Sequence, residues 1–385
     1  MLKVITVFGT RPEAIKMAPL VKELAKHRDD MECKVAVTAQ HREMLDQVLD
    51  LFEIVPHYDL DIMRRQQSLF DITSRALTGL REVFQKEKPG LVLVHGDTTT
   101  TFVAALAAYY LQIPVGHVEA GLRTRDKYSP FPEEINRHLT GVLADLHFAP
   151  TANARQNLLD EGVSGENIYV TGNTVIDALL ATVRPGYIFA DRVLSRIDYA
   201  KQRVLLVTTH RRENLGGPMR EIYRALREVT ENYRDVEVVF PVHKNPLVRS
   251  VVEEELGGRD RIHLIEPLDY QPFANLINRS YLVLSDSGGL QEEAPALGKP
   301  VLVLRSTTER PEAVDAGTVR LVGTAREAVL SETRRLLEDH ECYGKMANAV
   351  NPYGDGLASR RIVQAIKHKF GISKERMQEF CLHKF

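Results

Sequence analysis

Cysteine is scarce in this chain. Its three cysteines, Cys33, Cys342 and Cys381, stand far apart with no C-x-x-C spacing. That argues against a disulfide framework or a zinc site and fits a reducing compartment. No apolar run approaches the roughly 20 residues of a membrane helix, and no charged-then-apolar leader precedes the first strand. The expectation is a cytoplasmic protein with no membrane partner. Net charge is only −2, so no bulk attraction to nucleic acid is implied and none is expected as a partner. Two phosphate signatures are also absent. No G-x-G-x-x-G follows the first strand and no G-x-x-x-x-G-K-[ST] occurs, which disfavours a nicotinamide enzyme and a P-loop ATPase.

What is present is ordinary in amount and ordered in pattern. The 385 residues are 44% apolar and 26% charged, a soluble composition at a length that suits two domains. The most informative stretch is Leu284–Gly317. A short apolar strand, Tyr281 to Leu284, breaks at Ser285-Asp286-Ser287-Gly288-Gly289. A helical segment over Leu290–Leu297 follows, then Gly298-Lys299-Pro300 and a second apolar strand, Val301 to Leu304. This is one unit of a parallel α/β sheet. Its glycines let the backbone approach a ligand, and a helix start offers unpaired N–H groups to an anion such as phosphate. Gln291, Glu292 and Glu293 fall in the first turn, where acids suit the dipole and can also reach ligand hydroxyls. The Thr308-Glu309-Arg310-Pro311-Glu312 loop closes the next strand at the same sheet edge, where parallel sheets bind ligands.

The same rhythm runs through the chain. Lys3 to Phe8 reads as a buried strand, Gly9-Thr10-Arg11-Pro12-Glu13 as a turn, and Ala14 to Lys26 as a helix carrying Lys16. A second strand ends at Thr38, a helix opens at Gln40-His41, and a long amphipathic helix runs from Gln66 to Gln85. Asp59-Leu60-Asp61 has a metal-type spacing, but it sits in a loop and is not read as a metal site. The strand Leu91–Val94 delivers His95-Gly96-Asp97, where Asp97 is either a functional acid or the cap of the Thr-rich helix after it. The strand Val115–Val118 ends at Glu119, a carboxylate whose desolvation demands a partner or a task. Glu133 and Glu134 then open a helix. Asp97, Glu119 and Glu133 on neighbouring loops form a cluster whose proton affinities should be driven apart, as acid/base chemistry requires.

A crossing into a second domain is expected near Gly172-Asn173, and Thr182 to Ala200 carries little signal. Val204 to Thr208 restarts the pattern and leads to Thr209-His210-Arg211-Arg212-Glu213-Asn214. His210, flanked by two arginines, suits a phosphate or leaving group. His243 reads as structural. After the strand Ile262–Ile265, the backbone around Leu268 could read a flat base and Phe273 could stack on it or face the core. The expected fold is α/β, two Rossmann-like domains facing a central cleft.

Several motifs together resemble one family. V-F-G-T-R-P-E at Val7–Glu13, H-G-D-T-T-T at His95–Thr100, H-V-E-A-G-L-R at His117–Arg123 and P-E-E-I-N-R at Pro132–Arg137 lie in the first half. T-G-N-T-V-I-D at Thr171–Asp177, H-R-R-E-N at His210–Asn214 and D-S-G-G-x-Q-E-E-A at Asp286–Ala294 follow. G-K-P-V at Gly298–Val301, T-E-R-P-E at Thr308–Glu312 and N-P-Y-G-D-G at Asn351–Gly356 complete the set. In combination they resemble the non-hydrolysing UDP-N-acetylglucosamine 2-epimerases over nearly the whole chain. The resemblance implies a glycosyltransferase-B-like architecture, with residues 1–172 on the sugar side and 173–356 binding UDP. Residues 357–385 would return as a helix to the first domain and end in a tail. It implies that Ser287, Gly288 and Gly289 hold phosphate, Glu293 holds ribose hydroxyls, and Arg310, His210 and Arg11 meet the diphosphate, with Lys16 also on the UDP side. A UDP-sugar substrate, no cofactor, no metal, a homodimer and the supply of surface polysaccharide precursors complete the expectation. A UDP-sugar glycosyltransferase, a hydrolysing epimerase and a nucleotide-sugar sensor are the rival readings. No acceptor groove stands out for the first, and the acidic cluster disfavours the last.

Overall fold

The computed structural model describes residues 1–39, 42–64 and 67–381. The helix starts read at Gln40-His41 and at Gln66 lie outside the described residues. The chain divides into two compact units, Met1–Leu180 together with the chain from Tyr353, and Ala181–Pro352.

In the first unit, β1 (Leu2–Phe8), β2 (Met31–Val37), β3 (Tyr58–Asp59), β4 (Leu91–His95), β5 (Val115–Val118), β6 (Leu146–Ala149) and β7 (Ile168–Val170) form one sheet. Their order is β3-β2-β1-β4-β5-β6-β7, every pairing parallel. Parallel strands covered on both faces need near-continuous apolar runs, and Val4, Ile5, Val7 and Leu91 to Val94 are fully buried. The helix Thr99–Tyr110 presents Ala104, Ala105, Ala107 and Ala108 to that core, small side chains that let a helix lie close to a sheet. β3 is only two residues long, and it places Asp59 in a strand where the sequence suggests a loop.

In the second unit, β8 (Arg203–Thr208), β9 (Val236–Pro241), β10 (Ile262–Ile265), β11 (Leu282–Ser285), β12 (Val301–Val303) and β13 (Val319–Leu321) form a parallel sheet ordered β10-β9-β8-β11-β12-β13. The amphipathic helix Gly217–Asn232 packs Met219, Ile222, Tyr223 and Leu226 against Leu205, Val238 and Leu284. Each such buried Leu or Val contributes about 1.5–3 kcal/mol of transfer free energy. In both sheets the connections reverse direction beside the first strand, between β1 and β4 and between β8 and β11. That is where doubly wound sheets open a crevice for ligands.

The units part at 180/181 and 352/353, whereas the sequence suggests 172/173 and 356/357. The helix Thr174–Thr182 explains the first difference, because Val175, Ile176, Ala178 and Leu179 are buried. Asn173 N–H donates to Tyr353 O at 2.7 Å. Asp177 accepts from Ala358 N–H at 3.1 Å and Ser359 N–H at 2.8 Å, capping the helix Ala358–Lys369. The tail then runs along β7, with Phe380 N–H donating to Val170 O at 2.8 Å and Arg361 over the Phe380 ring. Among the described residues no helix is long and apolar enough to cross a membrane.

Candidate active site

In the first unit the turn after β1 is fixed by Glu13. Its buried carboxylate accepts from Gly9 N–H at 3.1 Å and Thr10 N–H at 2.8 Å, and from Thr98 Oγ1 at 2.7 Å, tying the turns after β1 and β4 together. Gly9 has to be glycine, because a Cβ there would lie 2.0 Å from Thr38 Oγ1. Arg11 is half-buried and is the first residue of the helix Arg11–Ala25, not a turn residue. The same helix brings Lys16 Nζ to 2.5 Å from Glu119 Oε2. Asn173 Nδ2 donates to that oxygen at 2.9 Å, and His95 Nε2 lies 3.6 Å away. Glu119 has φ +62°, a left-handed conformation costing about 1–3 kcal/mol, of a kind that collects at functional sites. Burial pushes the Glu119 carboxyl up, but Lys16 and His95 outweigh it and hold it well below the usual carboxylate range.

Asp97 behaves in the opposite sense. Burial, opposed by Arg137 and reinforced by the Glu119 and Glu133 carboxylates, holds its carboxyl above the ordinary value. Arg137 Nη2 lies 2.5 Å from Asp97 Oδ2, and Asn136 Nδ2 donates to the Asp97 carbonyl at 3.0 Å. Asp97 does not cap the following helix. Thr98 does, accepting from Thr101 N–H. Glu133 opens the helix Glu133–Leu143 with one buried carboxylate oxygen that no donor among the described residues meets.

In the second unit β8 and β11 deliver His210-Arg211 and Asp286-Ser287-Gly288-Gly289 side by side. Asp286 is fully buried and accepts from His210 N–H at 3.0 Å, Arg211 N–H at 2.9 Å and Asn214 Nδ2 at 3.1 Å. His210 Nδ1 lies 3.0 Å from the other oxygen of Asp286. Ser287 N–H donates to Ser285 Oγ at 2.9 Å. A Cβ on Gly288 would sit 3.9 Å from Arg211 Nη2 and 4.0 Å from Arg310 Cζ, so bare backbone faces two guanidinium groups. Such a corner suits an anion with several oxygens. Arg310 Nε donates to buried Glu292. Leu268 and Phe273 are half-buried after β10. Burial, and then Glu293, push the Tyr270 hydroxyl well above its ordinary value, which puts Tyr270 beside Glu293.

Comparison with known proteins agrees with the motifs. The sequence model of the UDP-N-acetylglucosamine 2-epimerase family matches residues 22–367. The UDP-N-acetylglucosamine 2-epimerase of Bacillus subtilis is 57% identical over 379 residues, 98% of each chain. The chain belongs to the UDP-N-acetylglucosamine 2-epimerase family. Among solved structures, the Neisseria meningitidis UDP-GlcNAc 2-epimerase bound to UDP-GlcNAc matches with TM-score 0.85 and 52% identity, covering 95% of this chain and 99% of that one. S. aureus MnaA, in its structure with UDP, matches with TM-score 0.88 and 52% identity, covering 99% and 100%. A sucrose-phosphate synthase from Thermosynechococcus elongatus shares the fold alone, at TM-score 0.65 and 14% identity. The fold is accordingly the glycosyltransferase-B-like α/β class.

Against that epimerase frame, the structure gathers Asp97, Glu119 and Lys16 in the first unit, with Glu133 near enough to act on Asp97. It gathers His210, Ser287, Gly288 and Arg310 in the second. Lys16, which the resemblance assigns to UDP, is the partner of Glu119. Sequence reasoning missed Arg137, Asn173, Tyr270 and Asp286. Arg137, Asn173 and Asp286 stand inside epimerase motifs, but spacing alone does not tell which motif residue points at which. Among the described residues no group of three or more His, Cys, Asp or Glu side chains could hold a metal ion.

Proposed function

We propose that the protein interconverts UDP-N-acetylglucosamine and UDP-N-acetylmannosamine by eliminating UDP and adding it back through a glycal. The C2–H of the sugar is not adjacent to a carbonyl, so direct deprotonation is hard. Departure of UDP solves this. The C1–O bond breaks with its electron pair on the diphosphate, and the developing charge at C1 acidifies the C2 proton. A carboxylate takes that proton and a C1=C2 double bond forms. UDP then returns to C1 while a proton is delivered to the opposite face of C2.

The observation that carries this reading is the opposite displacement of Glu119 and Asp97. Glu119 lies 2.5 Å from Lys16, which keeps it ionised and able to accept a proton, and Asp97, whose carboxyl burial raises, is the more easily protonated of the two and suits the return. In the reverse direction the roles exchange. The second unit supports UDP binding, with Ser287, Gly288 and Gly289 toward phosphate, Glu293 toward ribose, and Leu268 and Phe273 toward the base. Arg310 would steady the leaving diphosphate as a fixed positive group and His210 as a hydrogen-bond partner, and the family resemblance adds Arg11. Relatives that hold UDP and UDP-GlcNAc support the ligand. The product would serve surface polysaccharide synthesis, as the family resemblance implies. Incubating the purified protein with UDP-N-acetylglucosamine alone, followed by NMR, tests the activity. UDP-N-acetylmannosamine should accumulate to an equilibrium mixture. An unchanged sugar would indicate a transferase lacking its acceptor, and stoichiometric free UDP a hydrolysing enzyme.

A further inference from the structure

The contacts of Asp286 have no use in that scheme as stated. A carboxylate without solvent exposure is costly unless its lone pairs are met, and those of Asp286 are met by two backbone N–H groups, an amide and the His210 ring. Burial raises its carboxyl, but the His210 ring, with the backbone N–H groups of Arg211 and His210, outweighs burial and leaves it below the ordinary value. The side chain of the preceding Ser285 is tied to Thr208 Oγ1 at 2.6 Å, a link between β11 and β8 where the Asp286 turn begins. His243 stacks on a face of the His210 ring, with centroids 5.9 Å apart and planes at 27°. The imidazole is thus held by its Nδ1 edge and one face. Because the two nitrogens lie on different edges of the ring, Nε2 is turned away from Asp286, and the side chain is 38% exposed.

We propose that Asp286 is a positioning residue for His210: it accepts Nδ1–H, fixes the tautomer and ring plane, and so aims Nε2 at the diphosphate. The inference rests on the reading of the second unit as the UDP-binding one. With Nδ1–H committed to an ionised carboxylate, a proton on Nε2 has a compensating charge behind it. Where Nε2 also carries a proton, the ring meets a phosphate oxygen as a donor. A neutral ring turned over, with Nδ1 as the bare acceptor, would set two acceptors against each other at Asp286 and leave the ligand side unspecified. Among the described residues, Asp286 meets the ring at its Nδ1 edge and His243 lies against its face.

Asp286→Asn alone would not separate this role from support of the loop, because Asp286 also receives backbone N–H groups. Two measurements do. In the ligand-free full chain, 15N chemical shifts of the His210 ring should report Nδ1 protonated. A ring with only Nε2 protonated overturns the proposal without any variant. UDP affinity by calorimetry should fall about tenfold in Asp286→Asn, but less than about twofold when the same change is made in a His210→Asn background. An equal loss in both backgrounds would make Asp286 a loop support and nothing more. If the wild-type chain failed to bind UDP, the reading of the second unit would fall, and the ligand side of this inference with it. The ring shifts would still show whether the Asp286–His210 pair itself is as described.

Discussion

A carboxylate that closes a buried strand must find a positive partner or give up its charge, and Glu119 finds Lys16 at 2.5 Å. Its neighbour Asp97 has Arg137 at the same distance but is driven toward its protonated form by burial. Two acids with opposite tendencies are what proton transfer on two faces of one carbon requires. Glu119→Gln and Asp97→Asn should therefore each lower turnover by about 10²-fold or more, and each should also lower the unfolding midpoint, because Lys16 or Arg137 is left without its counter-charge. An Asp97→Asn enzyme with full activity and reduced stability would reduce Asp97 to a partner for Arg137. Arg310→Ala should weaken UDP-N-acetylglucosamine binding and slow turnover together, by about 2–4 kcal/mol in kcat/KM. Unchanged kinetics would remove the Thr308–Glu312 loop from the site. The residue types of this chemistry are legible in the sequence because the strand ends and turns announce them. The pairings are not, since Lys16 with Glu119, or Arg137 with Asp97, joins positions 103 and 40 residues apart.

Among the elements, the parallel strands are easily read, because burial on both faces forces apolar runs such as Leu91–Val94 and Val204–Val207. Two features escape for a physical reason. β3 has two residues, too short for any periodicity. The stretch Thr182–Ala200 is ordered by contacts far along the chain: Arg279 lies over the rings of Phe189 and Tyr199, and its Nη2 donates to the Tyr187 carbonyl at 2.5 Å. The edge of the first sheet is tied in a similar way. Tyr58 of β3, Lys34 of β2 and Lys3 of β1 converge on Glu87, at the end of the helix Leu69–Glu87, and lower its carboxyl from 4.5 to about 2. Because the folded value is the lower one, this stabilisation is complete above about pH 4.5 and is lost as pH falls toward 2. Urea midpoints of the wild type and Glu87→Gln should differ at pH 6 and converge near pH 2. A gap that stays constant over that range would contradict the assignment.

At the scale of the whole molecule, two parallel sheets of the same winding carry different side-chain chemistry. The second unit sets guanidinium groups beside open backbone, and the first carries the paired acids. The motifs that resemble the family are spread over both, which makes the fold class and the family legible in the sequence, while the pairings of Asp286 and Asn173 are not. Elimination and re-addition would make C2 give up one proton and receive another, which isotope exchange reads out. In D2O, the UDP-N-acetylmannosamine formed should carry deuterium at C2, and UDP-N-acetylglucosamine recovered after equilibration should carry it too, with free UDP only in trace. Epimer formed with its original hydrogen at C2 would contradict elimination and re-addition.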